Sequence, residues 1–412
     1  MRKLTFIFLL ALIVGASIVG KMSLRSGAAP IRTFGHHPLD TSHVSRIWYS
    51  PGGEQIAIKG SGNSTLTYWD SRTFAQSFNK VGDSALDLDW HHPGNFEETG
   101  DGLVWKVTRS GESRLLKDPF SGESLGEYRD TSRVQSETTV SADRRWAIRW
   151  LSLEGLPREL ANASIPSVLL WDLPNRSIAL TLPIKETEPQ TIRQGLFSPS
   201  GSPLAISLRK QVIQFVDLAA GGVALRESSV TLLSGLHKMR FSKDGKRLLA
   251  IENRFLELID VSRSQVVSNL PVKAPPLTAH FLEDGQGLIV VDALGFQILN
   301  LNLQPKGPKQ ELPQSRNSFF AFGKSVFAYA TEKGNMIVTG LPDGKVIWKG
   351  DAPKAYSVWT KRRDQDSRIS ALAISPDESQ IAVANWNEVM LLEPKTGKCL
   401  GLLGDVRFDK RE

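Results

Sequence analysis

The side chains in this 412-residue sequence best suited to chemistry are seven histidines, one cysteine and a few isolated Ser- or Asp-containing motifs. The histidines are His36, His37, His43, His91, His92, His237 and His280. None forms H-E-x-x-H or a close His/Asp triplet, the spacings that bring metal donors onto one side of an element. Cys399 stands alone, which excludes an internal disulfide and any multi-cysteine zinc or iron–sulfur site. Gly122-Glu123-Ser124-Leu125-Gly126 spells a nucleophile elbow, but that chemistry needs a strand-to-helix turn and later Asp and His partners. No helical pattern follows it, so it reads as a β-turn. Asp87-Leu88-Asp89 lacks the glycine and distal glutamate of a calcium loop, and no Gly-rich phosphate-binding loop occurs. The sequence therefore predicts no catalytic, cofactor-binding or metal-binding residue, and no enzyme.

The elements around these residues are strands. A turn signal recurs along the chain: Tyr49-Ser50-Pro51-Gly52-Gly53, Val140-Ser141-Ala142-Asp143, Phe197-Ser198-Pro199-Ser200-Gly201, Phe241-Ser242-Lys243-Asp244-Gly245, Phe281-Leu282-Glu283-Asp284-Gly285 and Ile374-Ser375-Pro376-Asp377-Glu378. Pro presets φ and Gly accepts a positive φ, so this order suits a tight reverse turn. Two short apolar segments follow each turn, the second ending in an acid or amide: Asp70, Asp172, Asp217, Asp260, Asn300 and Glu393. The interval from turn to acid is 18 to 20 residues everywhere except the third unit, where Leu151–Pro166 reads as an inserted loop.

A further turn and strand complete each unit, as in Pro394-Lys395-Thr396-Gly397-Lys398-Cys399-Leu400. Two weaker units fill the gaps. One has strands expected near Leu86–Trp90, Leu103–Val107, Arg114–Leu116 and Ser124–Gly126; the other spans Ser318–Lys349. Repeats of about 40–45 residues with four strands each are the pattern of propeller blades. Segments such as "FLELID" and "EVMLLE" are read as apolar on both alternating faces, as a blade between two neighbours requires. The fold predicted is all-β: a single β-propeller of four-stranded blades, eight by this count, with seven the alternative.

At these residues the chain resembles the WD-repeat family of β-propellers. Trp69-Asp70 and Trp171-Asp172 match the WD dipeptide, and the Ser-Pro-Asp-Gly turns match the link between a blade's first two strands. Gly35-His36 is the one Gly-His that answers the family's second signature. The resemblance covers about residues 35–403 and implies a protein-binding scaffold with partners on one face of the ring or at the channel mouth. Exported propellers of the Tol-associated and lactonase-like kinds share the same turn.

The family pattern places the turns between second and third strands opposite the Ser-Pro turns. Arg209, Lys210, Arg254, Lys333 and Trp386 stand on them and are the expected partner-binding residues, since Arg and Trp are enriched among interface hot spots. The formal charge is +7, but five cations lie in the first 32 residues, leaving +2 for the rest, so no nucleic-acid partner is expected. Met1-Arg2-Lys3 precedes the uncharged run Leu4–Val19, which reads as a signal peptide or signal anchor within residues 1–20, so residues 4–19 could tether the protein to a membrane. Residues 21–42 read as a linker, 43–403 as the propeller and 404–412 as a tail. The function expected is a non-catalytic, monomeric propeller that binds a protein partner outside the cytoplasm without a cofactor. The alternatives are an enzyme at the channel mouth, either a lactonase-like hydrolase or a quinone-dependent oxidoreductase, and a glycan binder.

Overall fold

In the computed structural model the described residues run from 44 to 403, excluding 61–65, 75, 78–95, 99–103, 111–112, 118–123, 130–135, 152–165, 176, 184–191, 209–210, 220–221, 274–275, 314, 316, 353–368 and 386–387. They form eight four-stranded antiparallel sheets, each with its strands in chain order. The eight blades of this β-propeller cover residues 44–77, 96–129, 136–183, 192–231, 236–271, 278–311, 318–351 and 369–403. In blade 2 the first described strand is Phe96–Glu98, and the expected strand Leu86–Trp90 lies outside the described residues. Ser124 of the Gly-x-Ser-x-Gly sequence opens the last strand of that blade, Ser124–Arg129, where a strand was expected near Ser124–Gly126. No described helix is long and apolar enough to cross a membrane.

The turn register has a hydrogen-bond cause. In blade 5 the Ser242 hydroxyl donates to Asp244 at 2.6 Å and accepts from the Arg247 amide at 2.9 Å. The Asp244 carboxylate accepts the Lys246 amide at 3.0 Å, and Gly245 turns the chain at φ 70°. Ser141 and Asp143 repeat the arrangement in blade 3, and Ser375 and Asp377 in blade 8. There Arg144 (φ 60°) and Glu378 (φ 57°) occupy the left-handed position that glycine takes without steric cost.

In blades 1, 3, 5 and 6 the acid or amide ending the third strand caps the next turn. Asp260 Oδ1 accepts the Ser262 and Arg263 amides at 3.0 and 3.1 Å, while Oδ2 holds Arg247 at 2.5 Å. These bonds, the Ser262 hydroxyl first among them, hold the Asp260 carboxyl below its usual range.

The core lies between blades. Leu248, Ala250 and Ile259 of blade 5 pack on Ile213, Phe215 and Val230 of blade 4. On the other side of blade 5, Leu249, Ile251 and Leu258 pack on Leu288 and Leu299 of blade 6. Both faces of the sheet are thus covered, and fully burying each such side chain is worth roughly 1.5–3 kcal/mol. The last seam joins the two ends of the chain: Ala382, Val389 and Leu391 of blade 8 meet Ile47, Ile56 and Trp69 of blade 1. Gln380 Nε2 donates to the Ser71 carbonyl across it at 3.1 Å.

Candidate functional site at the channel mouth

The first strands of blades 6, 7 and 8, Thr278–Phe281, Ser318–Phe322 and Ile369–Ile374, each end at the turn that leads into the second strand. Their ends border an open pocket of about 290 Å³ lined by His280, Phe281, Glu283, Phe322 and Lys324, with Ile374 to Pro376 completing the wall. Alternating hairpin ends place this cavity on the face of the Ser-Pro turns. It sits at the low end of the roughly 300–1,000 Å³ typical of small-molecule pockets.

His280 is the centre of this site. Its ring stacks on Phe322 with 3.6 Å between centroids and 22° between planes. Phe322 in turn packs on the fully buried Phe327 at 5.0 Å, and Phe327 meets Phe296 edge-on at 5.3 Å. The imidazole is therefore held against an aromatic column that ties blade 6 to blade 7. Burial holds its pKa well below the usual histidine value, and the positive charges of Arg240 and Lys238 add to the effect. Both cations stand on the neighbouring first strand, Leu236–Phe241 of blade 5, with Arg240 two residues before its turn just as His280 is before its own. The result is a neutral imidazole in positive surroundings. Such a group accepts a proton or ligates a metal-bearing group. Lys324 adds an exposed cation at the rim, while Glu283 is paired with Lys243.

The expected partner-binding residues fall elsewhere. Arg254 and Lys333 are exposed on second-to-third-strand turns of blades 5 and 7, on the opposite face, with blade 6 between them. Arg209, Lys210 and Trp386 lie outside the described residues. Of the seven histidines only His237 and His280 are described, and His237 is exposed. Among the described residues no three His, Cys, Asp or Glu side chains gather closely enough to hold a metal ion. Burial pushes the Cys399 thiol up to about 11, which leaves it protonated and unreactive at neutral pH.

The sequence reading treated His280 singly and missed its setting. The signal was available once the repeats were superposed: the position two before the turn holds Trp48, Thr139 and Leu196 in blades 1, 3 and 4. It then holds Arg240 and His280 in adjacent blades, and Ala321 and Ala373 in the last two.

No family model and no curated protein matches this sequence. Solved structures match the fold. The chain is similar to the dihydro-heme d1 dehydrogenase NirN, solved in complex with DHE, at a TM-score of 0.57 and 14% identity; the match covers 92% of this chain and 81% of that one. It is also similar to the computationally designed Ika8 protein at a TM-score of 0.54 and 11% identity, over 86% and 95% of the two chains. Hydrazine synthase of Kuenenia stuttgartiensis matches at 0.46 and 14%, over 89% and 99%.

These findings correct the expectation of a non-catalytic scaffold, and with it the expectation of no enzyme. That inference rested on a ring without a catalytic motif, yet a ring similar over most of this chain is a dehydrogenase. The physical reason is that a propeller assembles its mouth from single residues on successive blades, so no contiguous motif records it.

Proposed function

We propose that this chain is an enzyme of oxidoreductase type that works at the mouth of its channel, on the face of the Ser-Pro turns. The reading rests on one observation: neutral His280, stacked on Phe322 and bordered by Arg240 and Lys238, faces a concave pocket. Similarity to a dehydrogenase acting on a haem-type compound supports the class over a hydrolase. A lactonase-like centre would need a metal-holding cluster, and none occurs among the described residues. The residues present fit either a haem-type group or a carboxylate-bearing quinone. His280 offers the imidazole that haem iron takes as a ligand or that a substrate hydroxyl uses as proton acceptor, and Lys324 at the rim matches a carboxylate. The basic head and apolar run of residues 1–20 support an exported protein, and the WD dipeptides support a distant relation to WD-repeat propellers.

Absorbance titration of the full chain with ferric haem and with pyrroloquinoline quinone tests this reading. Saturable binding of one of them, with a spectral change lost in His280→Ala, is expected. Absence of binding by both, or binding untouched by that substitution, overturns the proposal.

A further inference from the structure

On the face opposite the mouth, two glutamates are buried with no cation paired to them among the described residues. Glu252 ends the second strand of blade 5 and is 0% exposed; Glu257, on the third strand, is 1% exposed. The strands pair Ala250 with Glu257, which puts Glu257 and Glu252 on one side of the sheet as diagonal neighbours. It is the side of Leu248, Ala250 and Ile259, the side packed on blade 4. The segment linking blade 4 to blade 5 closes over them: the Leu233 amide donates to Glu257 at 3.3 Å, and the Ser234 amide donates to Glu252 Oε2. Glu252 Oε1 is buried and accepts no hydrogen bond in the described structure.

We propose that Glu252 and Glu257 hold one proton between them, and that losing it loosens the seam between blades 4 and 5. Two bare carboxylates in contact inside an apolar interface repel each other and lack solvent; a single shared proton removes one charge and gives Glu252 Oε1 its missing donor. Burial and the neighbouring Glu252 push Glu257 up to about 8, against a weaker opposing pull from the Leu233 amide.

Among the described residues no cation forms an ion pair with either glutamate. Among them Glu252 is the charge that acts on Glu257, and its flanking cross-strand neighbours, Ala250 and Asn269, are uncharged. Arg254 on the hairpin and His237 on the first strand are exposed. On blade 4, Arg226 and Asp217 are bonded to each other at 2.7 Å and 2.8 Å, and Glu227 on the same strand as Arg226 brings no positive charge. A carboxyl protonated in the closed seam and ionised in the open one makes opening easier as pH rises between its two pKa values.

Hydrogen exchange at the Leu233 and Ser234 amides, measured on the full chain at pH 6, 7 and 8 and corrected for the intrinsic rate, tests this. Opening is expected to rise by up to roughly tenfold per pH unit and to level off above about 8. Glu257→Gln, which imitates the protonated acid, should remove the pH dependence while keeping the protection seen at pH 6. Glu252→Gln, tested in parallel, should do the same if the proton is shared. A flat profile in the wild type overturns the proposal, as does a slope that persists in a folded Gln variant. Restoration of protection at pH 8 by calcium alone would also overturn it, because the pair would then be a cation site.

Discussion

The two faces of this propeller bury titratable groups in opposite company. At the mouth, burial first, and then the positive charges of Arg240 and Lys238, hold the His280 pKa well below the usual histidine value. On the far face burial first, and then the neighbouring Glu252, push Glu257 up to about 8. The surroundings differ in use. The mouth side chain faces a pocket, where a ligand can enter. The far pair meets backbone amides and apolar neighbours, and no pocket opens onto it among the described residues. Burial with like charges thus marks a binding site only where space accompanies it.

Five substitutions would break or sharpen this contrast. The largest effect is expected for Phe327→Ala, which removes a fully buried ring from under Phe322. It should cost about 3–5 kcal/mol in chemical denaturation and weaken ligand binding at the mouth along with it.

Next comes Glu257→Gln. The acid binds its proton more tightly when folded, so its stabilisation is complete below the ordinary carboxyl value and is lost as pH rises towards about 8. The variant should therefore melt at a higher temperature than wild type at pH 8, and the gap should shrink at each step down to pH 5.

His280→Phe tests the opposite sign. A histidine whose folded pKa is depressed contributes stability above pH 6.5 that is lost as pH falls below it, by no more than about 1.4 kcal/mol per unit. Thermal melts from pH 7 to 5 should fall less steeply in the variant. The smallest effect belongs to Arg254→Ala and Lys333→Ala, exposed turn residues whose removal should change stability by less than about 0.5 kcal/mol and leave mouth binding intact.

Much of the fold was legible because a local hydrogen-bond unit enforces the repeat. The Ser–Asp turn and the acid cap at Asp260 leave the same residue types at the same interval in blade after blade. Blade 2 was less legible because this turn signal is missing between Phe96–Glu98 and the strand Val104–Ser110 with which it pairs. The site was far less legible. His280 and Arg240 come together through the seam between two blades, a relation that appears only when repeats are superposed. The Glu252–Glu257 pair was hidden differently. Glutamates flanking the turn Asn253-Arg254 look like ordinary solvated hairpin residues, and only the connecting segment Leu232–Gly235 folding over them creates their burial.

The question that matters most is whether the Ser-Pro-turn face holds the ligand. A crystal structure of the full chain soaked with ferric haem or pyrroloquinoline quinone answers it most directly. The account predicts electron density against His280 and Phe322 at the ends of the first strands of blades 6 to 8. Density confined to the opposite face near Arg254 or Lys333, with the His280 cavity holding solvent, would contradict it.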